Sequence, residues 1–133
     1  MASRTLRLVG GLAAALSIAG APIAVQAAND LLHSGTFEGA SGHETSGGVT
    51  IVSTDNGIQV LLGEDFYHDG APDPHVGFGT NGDFDAASDL GMLASNTGEQ
   101  VYEVPATLDI SGYDTVYIWC VQYSVPLGVA SLR

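Results

Sequence analysis

The run Val116-Tyr117-Ile118-Trp119-Cys120-Val121-Gln122-Tyr123 constrains this chain more than any other. It is rich in β-branched and aromatic residues, and it holds the only tryptophan and the only cysteine. Read at a period of two, Val116, Ile118 and Cys120 share one face, while Tyr117, Trp119, Val121 and Tyr123 share the other. Both faces are apolar. The run therefore predicts a central strand covered on both sides, with the thiol turned into protein.

A strand of that kind needs partners, and the rest of the sequence offers them. Short apolar stretches alternate with Gly, Asp and Asn turns, so 32–37, 49–53, 58–62, 75–80, 100–104, 115–123 and 125–132 read as strands. Asp55-Asn56-Gly57 is a hairpin signal between the second and third of these. Asp69-Gly70-Ala71-Pro72-Asp73-Pro74 breaks the ladder, because proline lacks the N–H a strand must donate. Ser111-Gly112-Tyr113-Asp114 turns the chain into the cysteine strand, and only 86–95 has room for a short helix or a wide loop. The fold class is all-β: a single-domain antiparallel sandwich or barrel of about seven to eight short strands.

Residues 1–27 read as a cleavable signal peptide ahead of a domain over 28–133. Arg4 and Arg7 precede an Ala/Leu/Gly-rich run from Leu8 to about Val25, and Val25-Gln26-Ala27 has the small-x-Ala form of a cleavage site. The run is broken by Pro22 and poor in large apolar residues, which argues against a permanent membrane span. A secreted product is expected, periplasmic or extracellular, with no stable membrane anchor after processing. Removing the leader takes two of the three basic residues, leaving Arg133 against fifteen acids, with no lysine. Such a surface repels nucleic acid and anionic lipid, and it favours solubility, cations or a basic protein partner.

One cysteine cannot form an internal disulfide, so the domain must stand on its hydrophobic core. The thiol is left as a packing residue, an intermolecular bridge, a metal ligand or a redox centre. A thiolate needs a nearby cation, and this chain supplies no lysine to stabilise one. Cys120 is therefore not expected to act as a nucleophile.

Several short motifs in order resemble the DM-thirteen domain family. They are His43-x-x-Ser46-Gly47, Leu62-x-x-Asp65-Phe66, Pro72-Asp73, Leu93, Gly98-x-Gln100-x-Tyr102-x-x-Pro105, Val116-x-Ile118-Trp119-Cys120 and Gly128-x-Ala130-x-Leu132. The resemblance runs from about Gly35 to Leu132, and its specificity lies in the order and spacing of the pieces. Ala71 stands where many members have glycine, and Leu127 where an aromatic is common. The resemblance implies an exported all-β domain with a suspected role in electron transfer through its characteristic cysteine, here Cys120. Phe66, Asp73, Trp119 and Tyr102 are the supporting pocket it suggests.

Among possible partners of the thiol, His43 follows Gly39-Ala40-Ser41-Gly42, where a side chain can reach over a sheet end or simply bond the backbone. His33 sits near a terminus, and His68 and His75 flank the proline turn, which makes them weaker candidates. A blue-copper arrangement lacks the histidine and methionine that follow the cysteine, although His43, His75 and Met92 could converge from elsewhere. No Cys-x-x-Cys-His exists for covalent haem, which leaves a non-covalent haem or a metal on Cys120 open. Asp83, Asp85 and Asp89 have a spacing that calcium uses, without the closing glutamate of an EF-hand. No nucleophile elbow, zinc-binding helix or phosphate loop is present. The reading is a non-enzymatic electron-transfer, redox or cofactor-binding module. The alternative is an extracellular interaction or carbohydrate-binding domain in which Cys120 only fills the core.

Overall fold

The computed structural model describes residues 29–133, so the leader assigned to 1–27 lies outside the described residues. Ten strands follow one another: β1 (Asp30–Gly39), β2 (Thr45–Ser46), β3 (Gly48–Thr54), β4 (Gly57–Leu62), β5 (Tyr67–His68), β6 (Pro74–Thr80), β7 (Asp83–Phe84), β8 (Gln100–Glu103), β9 (Thr115–Cys120) and β10 (Val125–Ser131). Eight of them form one antiparallel sheet in the order β7-β6-β9-β10-β1-β3-β4-β8, and β2 pairs β5 separately. The sheet is curled, and β1 is the bend. Its first part, to Thr36, pairs with β3, and its last residues, Phe37 to Gly39, pair with β10.

Alternating residues from both halves meet in one core. Val49, Ile51, Val60, Leu62 and Tyr102 come from the β3-β4-β8 side; Val76, Phe78, Val116, Ile118, Cys120, Leu127 and Ala130 come from the other. Each enclosed aliphatic side chain contributes about 1.5–3 kcal/mol by leaving water. That burial carries the fold, because the one cysteine is free.

β9 lies inside the sheet between β6 and β10. Its second face is closed by aromatics. Phe84 stacks on Trp119 at 4.7 Å, and Tyr117 stands edge-on to Trp119 at 5.9 Å. The strand is shorter than the sequence suggests. It ends at Cys120, and 121–124 form the reversal that brings Val125 back opposite Cys120, with Ser124 at φ 52°. Val121 and Tyr123, expected on a covered face, are therefore 40% and 63% exposed.

Residues 85–99 close the open side. Asp85 caps a single 3-10 turn, Ala86–Ser88, by accepting from Ala87 N. Leu90 and Gly91 then bond Val76, and Leu93 N donates to Pro74 O, along the free edge of β6. Tyr102 of β8 accepts from Ala94 N, and Gln100 bonds Ser95. The two ends of the sheet are tied through one connection.

Candidate functional site

Cys120 is enclosed, and its Sγ donates to Pro72 O at 3.1 Å. The acceptor belongs to the Pro72-Asp73-Pro74 turn, which packs along the end of β9: Pro74 lies opposite Cys120, and Val121 N donates to Asp73 O. Asp73 holds φ at 56°. A left-handed residue is uncommon for any side chain and further disfavoured before proline. The turn is therefore held by its surroundings rather than by local preference. Part of that hold is His75, whose Nε2 meets Asp73 Oδ1 at 2.9 Å and whose Nδ1 meets an Asp89 oxygen at 2.9 Å. Burial acts to lower the His75 pKa, but the bonds to Asp89 and Asp73 outweigh it and raise the value above 6.5.

His43 is placed on a different group. Ser41 and Gly42, both at positive φ, reverse the chain so that His43 N donates to Ala40 O. The ring then leans over the β2–β5 pair, with Nδ1 at 2.9 Å from Asp69 Oδ1. Beneath it, Thr45 and His68 face each other across β2 and β5, and both are buried. Thr45 Oγ1 donates to Leu127 O at 2.9 Å and lies 2.9 Å from His68 Nδ1. Two glycines opposite each other in register, Gly39 of β1 and Gly128 of β10, make room for this layer. A Cβ on Gly39 would collide with His43 O, and one on Gly128 would come 2.6 Å from Thr45 Cγ2.

Charge in this group is distributed by environment. Asp69 is held below the usual carboxylate range, chiefly by the Glu44 N–H and then by His43. Burial pushes His68 down, against the opposing pull of Asp69, so its ring is neutral at neutral pH. The hydroxyl of Thr45 has one hydrogen, directed to Leu127 O, so His68 Nδ1 carries the proton that Thr45 Oγ1 accepts. Nε2 of His68 is then a bare lone pair, and this buried atom has no hydrogen-bond partner.

The remaining expected residues are spread over the molecule. Trp119 points to the face of β9 away from Cys120, on Phe84. Phe66 sits in the core, edge-on to Phe37, and Tyr102 donates to Gln100 Oε1 at the β8 edge. Asp85 bonds Ala87 N and the Tyr113 hydroxyl, and Asp89 bonds Gly91 N and His75. Asp83 pairs its backbone with Thr80 in the β6–β7 hairpin. Met92 is exposed, and His33 lies in β1 opposite Ile51. A groove of about 340 Å³ over β1 and β10, lined by Ser34, Thr36, Glu38, Val129, Ser131 and Arg133 among others, includes neither Cys120 nor a histidine.

No hydrogen bond joins Cys120 to a histidine among the described residues. Its Sγ is enclosed and bonded to Pro72 O. Thr45 is the site residue that sequence reasoning missed, and His68 stands there only as a weaker candidate than His43. Their faint signal is the pair of polar residues at the two ends of short, turn-bounded segments, and only the fold shows that these segments meet.

A family model described as Electron transfer DM13 matches residues 36–132. No curated protein and no solved structure matches the chain.

Proposed function

We propose, on the premise that this chain belongs to the Electron transfer DM13 family, that it is an exported, non-enzymatic electron-transfer or redox module centred on Cys120. The observation that carries this reading is the placement of the sole thiol. It is enclosed on an interior strand and bonded to a turn whose Asp73 is held in a disfavoured conformation. Strained backbone of this kind clusters at functional sites. A single thiol has no internal partner for a thiol–disulfide couple, so Cys120 acts with a bound group or a partner protein. The acidic chain, with fifteen acids and no lysine, favours a basic protein partner over nucleic acid or anionic lipid. His43 bonds Asp69 and not the sulfur, so the reading rests on Cys120.

The test is purification from the native host, followed by elemental analysis, a visible spectrum and a reductive titration beside Cys120→Ser. Electron uptake by the wild type and its loss in a folded Cys120→Ser protein are the expected results. A second reading follows from the burial of Cys120 and its membership of the core cluster. In it the sulfur is structural, and the domain serves extracellular interaction or carbohydrate binding. A colourless, redox-silent protein whose Cys120→Ser variant loses only stability would establish that reading instead.

A further inference from the structure

His43, His68 and Asp69 come together from two segments that the sequence separates, and no hydrogen bond joins them to Cys120. One donor atom from each lies within 4.8 Å of the other two, a convergence found for no other three His, Cys, Asp or Glu among the described residues. Tetrahedral zinc with bonds of about 2.0–2.2 Å holds its donor atoms about 3.3–3.6 Å apart, so an approach of at most about 1.5 Å closes the set. Two members can make that movement, because the His43 and Asp69 side chains are 30% and 31% exposed. The third is fixed.

His68 supplies an independent observation. Its side chain is fully enclosed, yet Nε2 has no partner, and unpaired buried polar atoms are uncommon and costly. Thr45 holds Nδ1 and orients the ring, as a hydroxyl or carbonyl does behind most metal-bound histidines. Asp69 Oδ1 approaches this ring at Nδ1, 3.8 Å away, so the partly exposed Asp69 and His43 side chains must turn toward Nε2. A cation that accepts the Nε2 lone pair there would leave every polar atom bonded along the chain Leu127 O, Thr45 Oγ1, His68. Two imidazoles and a carboxylate suit zinc or copper rather than calcium or magnesium, which prefer all-oxygen shells.

We propose that His43, His68 and Asp69 bind one divalent transition-metal ion, Zn²⁺ or Cu²⁺, with solvent completing its shell on the exposed side. Calorimetric titration and thermal melting of the full chain with ZnCl₂ test this, with CaCl₂ and MgCl₂ as controls. Because His43 and Asp69 are partly exposed, His43→Ala and Asp69→Asn should keep the fold, which melting without metal verifies. One equivalent of zinc bound, a raised melting temperature and at least ~10-fold weaker binding in each variant are expected, with Cys120→Ser unaffected. Absence of zinc binding, or unchanged binding in either variant, overturns the proposal. So does loss of binding in Cys120→Ser, or a cobalt(II) adduct with a thiolate charge-transfer band, since both would assign the ion to the sulfur. The redox reading of Cys120 is untouched by a negative result here.

Discussion

At the scale of single residues, two side chains beside the Pro72–Pro74 turn make separate predictions. Cys120→Ala removes a buried sulfur and its bond to Pro72 O. The lost contacts and the freed carbonyl should together cost about 1–3 kcal/mol, read from urea denaturation with an unchanged slope. His75 is measured by pH. Its folded pKa lies above 6.5, so its stabilisation is complete below that value and is lost as pH rises through the raised one. His75→Gln should therefore lose about 1 kcal/mol relative to wild type near pH 5.5 and much less near pH 8.5. Equal losses at both pH values would show that the ring acts by packing and not by charge. The inward direction of Cys120 was legible in the sequence, because an apolar strand alternates its faces regardless of distant contacts. The burial of His68 was not, because it depends on a hydroxyl at Thr45 and a carbonyl at Leu127, far away in the chain.

At the scale of elements, the β1–β10 pair serves as the floor of the histidine layer. Gly128→Ala places a methyl group against the Thr45 side chain. Overpacking of this kind costs about 1–3 kcal/mol, and here it also pushes Thr45 away from Leu127 O and His68. The melting temperature should fall, and the ¹⁵N shifts of the His68 ring should move; an unmoved ring would show that Thr45 does not orient it. The seven long strands could be read from period-two alternation and from Gly, Asp and Pro punctuation. The short pairs could not. Thr45–Ser46 and Tyr67–His68 are two residues each, too brief for any period, and they exist because the ends of larger strands bring them together. Val121 to Tyr123 were read as strand for the opposite reason: their β propensity is high, but the hairpin to β10 needs residues for its turn, and register overrode preference.

At the scale of the whole molecule, charge works against compaction. Fifteen acids face three basic residues, two of them in the segment read as a leader. Raising NaCl from about 10 mM to about 150 mM shortens the screening length to about 8 Å, so self-repulsion weakens and the melting temperature should rise by several degrees. A fall would mean that the few ion pairs, such as His75 with Asp73 and Asp89, outweigh the net field.

β1 has a further consequence. Since one continuous strand is hydrogen-bonded to β3 along its start and to β10 at its finish, neither lobe of the curl can open while the other stays shut without tearing its own border. Denaturation should be all-or-none. Deuterium uptake at the amides of Ile51 and Ile118, on opposite sides of that border, should report the same opening free energy; a gap between them would mean that the molecule comes apart in two stages, hinged at Phe37.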